Sequence, residues 1–129
     1  MTKNKNLFAR EILITVFLIV LLSTLCVKKV EDLKILAQNS ISQKNEQIIR
    51  EALAVYRGDN EGLCPIHLAD LKGDYLDHIP PYYYQGKAND KIKEGSSYQE
   101  IFDGQGGWLY INNKTDKDYC EIYPNAEEE

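Results

Sequence analysis

The chain has 129 residues and a formal charge of −5. Three of its 15 basic and one of its 20 acidic residues fall within residues 1–27, so the remainder carries 12 basic against 19 acidic side chains, or −7. A surface of that sign repels phosphate backbones and argues against nucleic-acid binding, and what is left after an apolar N-terminal segment is one small domain, too short for a large enzyme core.

A polar, basic leader (residues 1–6, with Lys3 and Lys5) precedes an apolar segment, residues 7–27, broken only by Arg10 and Glu11. Ile12 to Val27 is 16 residues, about 24 Å of helix against a hydrocarbon core of about 30 Å; starting at Leu7 brings it to about 31 Å, with Arg10 snorkelling at the boundary. An acid inside the first turns of a hydrophobic helix is costly in lipid, so Glu11 asks for a use. A plain signal anchor would make it a boundary residue. No small-x-small site follows the apolar run, and the Ser-Thr-Leu-Cys sequence ending at Cys26 is a poor lipoprotein box. Lys3, Lys5 and Arg10 before the segment are balanced by Lys28, Lys29 and Lys34 after it, so charge alone leaves the orientation a tie.

Residues 28–57 continue without proline or glycine. Apolar residues at Val30, Leu33, Ala37, Ile41, Ile48, Ala52 and Val55, broadened by Leu36, Ile49, Leu53 and Tyr56, follow the period of a helix with one buried face. The expectation is one helix from Leu7 to Arg57, roughly 75 Å long, stopped by Gly58. A coiled-coil dimer is the weaker reading, because the polar run Gln43 to Gln47 interrupts any heptad seam.

Residues 58–123 read as a small, turn-rich body. His67 to Tyr75 is a short helix or turn, and Tyr82 to Tyr84 an edge strand after the Pro80 and Pro81 pair. Lys87 to Ser97 is too polar to bury much. Trp108 to Ile111 and Tyr119 to Tyr123 are the better strands, separated by the turn-forming run Asn112 to Asp116. Gly106 and Gly107 let the backbone turn into the first of these, whose Trp108 and Tyr110 share a face that can pack on the long helix. Residues 124–129 form an acidic tail, expected to be solvated and disordered.

The run Leu7, Phe8, Ala9, Arg10, Glu11, behind a basic leader and ahead of a long helix, resembles the N-terminus of a type IV pilin or a type II secretion pseudopilin. In that family a prepilin peptidase removes the leader after a glycine, and the mature chain carries glutamate at its fifth position. The resemblance implies cleavage between Asn6 and Leu7 and a subunit-assembly role for Glu11. Asn6 stands where the family has glycine, Arg10 where it has an apolar residue, and the helix-kinking proline has no counterpart. Gly62 and Pro65, the Tyr75 to Pro80 step, and Gly106, Gly107, Trp108 and Tyr110 ahead of an asparagine-rich turn extend the likeness over most of the chain.

The resemblance implies an α+β fold, a long N-terminal helix on a small antiparallel sheet. It further implies a minor or divergent structural subunit of a pilus or secretion pseudopilus, held in the inner membrane by a single pass with the body extracytoplasmic. Its partners would be other pilin-like subunits and an assembly platform. A permanently anchored single-span protein with a partner-binding domain is the alternative. No cofactor, catalytic constellation or calcium loop is recognisable: the Gly104 to Gly107 run precedes a strand, where a nucleotide loop would open a helix.

Cys26 lies in the apolar segment and is simplest as a small hydrophobe. Cys64 and Cys120 remain, and in an oxidising compartment they would form a disulfide stabilising by about 4 kcal/mol. The competing reading is a metal site, in which Cys64 and His67 form half of a zinc signature with His78 and Cys120 as further ligands. The sequon Asn113, Lys114, Thr115 reads most simply as a hairpin turn.

Overall fold

The computed structural model describes the backbone of residues 2–127 and the side chains of residues 4–127; the side chain of Lys3 and the tail residues Glu128 and Glu129 lie outside them. One long helix, α1, spans Thr2–Asp59. The chain divides into two compact units, residues 1–37 and residues 38–129.

In the first unit, α1 already includes the leader. Its apolar side chains point outward, Leu13 71% and Phe8 66% exposed, and α1 is long and apolar enough to cross a membrane. The hydroxyl groups within this stretch donate to their own helix, Thr15 to the Glu11 carbonyl and Ser23 to that of Ile19, each at 2.8 Å. Thr24 does the same to Leu21 at 2.8 Å.

In the second unit, α1 from Gln38 onward is one wall of the body. Ile49, Ala52 and Leu53 are buried, Tyr56 packs against them, and Ser42 is covered one step further back. Within the stripe expected from the sequence, the burial falls on Ile49, Ala52, Leu53 and Tyr56, whereas Ile41 and Val55 stay 45% and 56% exposed. The helix has two adjoining apolar sides, and periodicity does not say which of them the sheet takes. The end of α1 also falls beyond Gly58. Glu61 takes the left-handed conformation at φ 56°, and the Gly62 amide donates to the Arg57 carbonyl at 2.8 Å, a Schellman closure with glutamate where glycine is usual.

A 3-10 turn (Leu68–Leu71) follows, then β1 (Tyr82–Tyr84), β2 (Lys87–Asn89), β3 (Ile92–Gly95), a single helical turn α2 (Tyr98–Ile101), β4 (Trp108–Ile111) and β5 (Ile122–Pro124). β1 and β2 form an antiparallel hairpin. β4 is the centre of a three-stranded sheet, parallel to β3 and antiparallel to β5.

The fold is therefore α+β, a long helix against small sheets, as expected, with one parallel pair among the antiparallel ones. That pair draws on Lys87 to Ser97, a segment that is too polar to bury much and yet supplies β3. Its strands are half-exposed, and β3 crosses to β4 through α2, which packs Ile101 against Leu109 and Ile111 on the far side of the sheet. The final strand begins later than expected, because Tyr119 and Cys120 belong to the turn before it.

Alternation along β4 places Trp108 and Tyr110 towards the helix with Ile49, Leu53, Leu68, Leu71 and Ile122, and places Leu109 and Ile111 on the other side. All four β4 residues are fully buried. The polar ends of its two aromatics are satisfied inside the core. Trp108 Nε1 donates to the Pro80 carbonyl and the Tyr110 hydroxyl to that of Pro65, both at 2.7 Å. Burial also pushes the Tyr110 phenol well above its ordinary range.

Residues 124–126 are not a free tail. Pro124 belongs to β5, and Asn125 and Ala126 are 3% and 8% exposed. The body extends through Ala126 because Asn125 supplies hydrogen bonds that the preceding loop lacks.

Candidate functional site

Three places gather the residues singled out above. The first is the start of α1. Asn6, Leu7, Arg10 and Glu11 all lie within the helix and are exposed. The Asn6–Leu7 bond is therefore helical. Adjacent positions on a helix point apart, so Arg10 and Glu11 of one chain do not face each other. Glu11 projects from an apolar surface and, once that surface is covered by lipid or by another helix, requires a counter-charge from elsewhere.

The second place is the helix exit. Cys64 and Cys120 form a disulfide with Cα atoms 5.9 Å apart, closing a separation of 56 residues. Cys120 has φ 72°, held there by the bridge and by its amide hydrogen bond to the Ile111 carbonyl at 2.8 Å. Cys26 remains a free thiol on the exposed surface of the apolar helix.

His67 does not turn towards the cysteines. Its Nδ1 lies 2.7 Å from Glu94 Oε2 on β3, and this contact with the carboxylate raises the imidazole pKa. The other Glu94 oxygen accepts the Leu68 amide at 2.8 Å, and the Asp70 carboxylate accepts the His67 amide at 3.1 Å. Cys64 and His67 thus serve two separate structural ties, and His78 joins neither.

The third place is the loop from Asp103 to Gly107, organised by Asn125. The Asn125 side-chain oxygen accepts the amides of Asp103 and Gly104, each at 3.1 Å. Its amide group donates to Asp103 Oδ1 at 2.7 Å and to the Gly106 carbonyl at 3.2 Å. Lys93 Nζ reaches the other Asp103 oxygen at 2.8 Å. The lysine contact, followed by those of Asn125 and the Gln105 amide, lowers the Asp103 pKa to about 2. Against the sheet edge, Arg50 pairs with Glu46 and Glu121 and donates to the Ile122 carbonyl at 2.7 Å.

Sequence reasoning named Cys64, Cys120, Trp108 and Tyr110 but missed Arg50, Glu94, Asp103 and Asn125. Charged and amide side chains in a polar sequence give no periodic signal that they will meet across 20 to 70 positions. The pair Asp103 and Gly104 ahead of two further glycines marks a loop that needs an outside acceptor, and that is the one signal that was available.

Nearby, Tyr84, Lys87, Asn89, Lys91 and Gln105 line an open polar cleft of about 560 Å³. These side chains offer hydrogen bonds and charge but no nucleophile with an adjacent base. Comparison with protein-family models, with curated proteins and with solved structures finds no match for this chain.

Proposed function

We propose that this chain is a structural subunit, minor or divergent, of a type IV pilus or a type II secretion pseudopilus, with no catalytic role. The observation that carries the reading is the division of labour along α1. Its first half is exposed and apolar, with a single acid, Glu11, one and a half turns after the basic leader. Its second half is the wall of a small body closed by a disulfide. Such a chain is stored in a membrane by the first half and, on assembly, buries that half among identical helices, with the body facing an oxidising, extracytoplasmic space.

In a water-poor helical core an unpaired carboxylate costs several kcal/mol, and the free amine of a neighbour's first residue, exposed by cleavage after Asn6, is the fitting counter-charge for Glu11. Glu11→Ala is expected to leave membrane insertion intact and to reduce incorporation into filaments. Normal incorporation would make Glu11 a boundary residue. Mass spectrometry of the mature N-terminus tests the processing step. Asn6→Gly is expected to speed trimming to Leu7, because a subsite shaped for glycine has little room for an asparagine side chain.

Asn6 itself favours a second reading. A leader that is never removed leaves a permanently anchored single-span protein whose extracytoplasmic body binds a partner. An intact N-terminus in cells that carry an active prepilin peptidase would select it.

A further inference from the structure

The polar cleft of about 560 Å³ lies between the β1–β2 hairpin and the Asp103–Gly107 loop, and its two walls are locked together. Asn89 Nδ2 donates to the Gln105 carbonyl at 3.2 Å, and Asn89 Oδ1 accepts the Lys91 amide at 3.0 Å. A Cβ on Gly106 would come to 3.4 Å from both Tyr84 Cβ and Asn89 Nδ2, so a glycine there lets the loop lie against the hairpin. The hairpin itself turns on Gln85 and Gly86, both left-handed at φ 49° and 76°, where asparagine and glycine are the usual pair. The cleft is thus a formed feature of the body.

Around it stand groups that the fold does not use. Among the described residues, the side chains of Gln85, Lys87, Lys91 and Gln105 and the hydroxyl of Tyr84 have no hydrogen-bond or ion-pair partner within the chain, whereas the neighbouring Lys93 is taken by Asp103. Two ammonium groups against the single acid Asp90 give the lining a charge of +1, while residues 28–129 together carry −7.

The lining also narrows the ligand. The amides of Asp103, Gly104, Gln105 and Gly106 all donate inward, to Asn125 and Asp103, so no row of free backbone amides is left to cradle a phosphate. Ala88 is the one aliphatic side chain among the lining residues, so the apolar side chains of a peptide find no pocket. What remains is amide groups, lysines and a half-buried phenol ring. These offer hydrogen bonds to hydroxyls, a counter-charge to a carboxylate and an aromatic face to the apolar side of a sugar ring.

We propose that this cleft binds an acidic saccharide, an oligosaccharide bearing uronic-acid carboxylates. Lys87 and Lys91 pair with the carboxylates, Gln85 and Gln105 with hydroxyls, and Tyr84 stacks on one ring. The site belongs to the body alone and stands whether or not the chain enters a filament.

Titration of the full-length chain in mild detergent with tetrasaccharides of galacturonate, glucuronate and mannuronate tests this, read by calorimetry and by the amide resonances of Ala88, Gln105 and Gly106. At least one of these sugars is expected to bind with a dissociation constant of about 0.1–1 mM, the range for an open site held by exposed groups, and to move those resonances. Lys87→Gln combined with Lys91→Gln should weaken binding about tenfold, the scale of two exposed ion pairs, and should leave the urea midpoint read from Trp108 unchanged. Added salt should bring the wild type towards this variant. Undiminished binding of the methyl-esterified sugar would overturn the acidic assignment. Tighter binding of tripolyphosphate or of a tetraglutamate peptide than of every saccharide would overturn the proposal in favour of a general anion site, and no binding of any of the sugars at about 10 mM would overturn it outright.

Discussion

Replacing both bridging cysteines, Cys64→Ser with Cys120→Ser, reopens a separation of 56 residues in the unfolded chain. On the chain-entropy account a loop of that length is worth about 4 kcal/mol. A body of about 90 residues has about 5–13 kcal/mol of stability in total, so the double variant should remain folded but lose between a third and most of its margin. Trp108 is the chain's one tryptophan, fully buried and bonded to Pro80, so its fluorescence, excited selectively over the tyrosines, reports the opening of this core. In urea, at a slope of about 1–2 kcal/mol per molar for a small domain, the midpoint should fall by about 2–4 M. Cys64→Ser alone should behave like the double variant, because each removes the same bond. A fall in stability of less than about 1 kcal/mol would refute the loop argument, whose largest assumption is an unfolded state without residual structure. Sensitivity to a chelator in place of a reductant would point back to a metal.

Asn125→Ala removes the acceptor of two loop amides and the donor to Asp103 and Gly106. Unfolding followed by Trp108 should show a loss of about 2–4 kcal/mol, whereas a loss below about 0.5 kcal/mol would mean that the loop holds itself. Gly107 has φ 84°, and a Cβ there would lie 2.4 Å from the Lys91 carbonyl oxygen; Gly107→Ala should therefore destabilise by about 2 kcal/mol or more and loosen the β3–β4 pairing, which amide exchange on β3 would read. The His67 imidazole is raised by Glu94, so its contribution is complete below the ordinary histidine pKa and fades as pH rises through the raised value. A His67→Gln variant should lack that step in a pH series of urea midpoints, and a wild-type profile flat from about pH 5 to 9 would contradict the pairing. Asp103, lowered to about 2 from an ordinary 3.8, contributes above the ordinary value and loses that contribution as pH falls towards 2; Asp103→Asn should flatten the acid limb correspondingly.

Much of the architecture was legible in the sequence because it rests on long-range repetition. A stretch without proline or glycine, a 3.6-residue apolar period and an alternating Trp-Leu-Tyr-Ile strand each have one simple structural solution. The buried side of α1 was less legible, since Ile48 and Ile49 both sit on apolar faces and only the sheet decides between them. β3 was missed for a different reason: it is half-exposed, and its place comes from pairing with fully buried β4 rather than from its own composition. Asn125 shows the limit most plainly. Read along the chain it belongs to a polar, acidic tail, and only the arrival of the Asp103–Gly107 loop makes it a buried hub. The start of α1 was legible as apolar and helical.

The same geometry sets an order of events during synthesis. The face of α1 made by Ile49, Ala52 and Leu53 is covered by residues from Leu68 to Ile122, and the Arg50 clamp, the disulfide and the Asn125 hub all wait for positions 120 to 125. A chain made from its amino end therefore presents two apolar surfaces in sequence. On the membrane-anchored reading proposed above, the first is taken up by lipid at once, and the second stays bare until some 70 further residues have emerged. Anything that keeps this face from settling in the bilayer during that interval acts on the yield of folded body more than on its final stability, so variants at Ile49 or Leu53 should be rescued by slowing or shielding the emerging chain where variants at Asn125 should not.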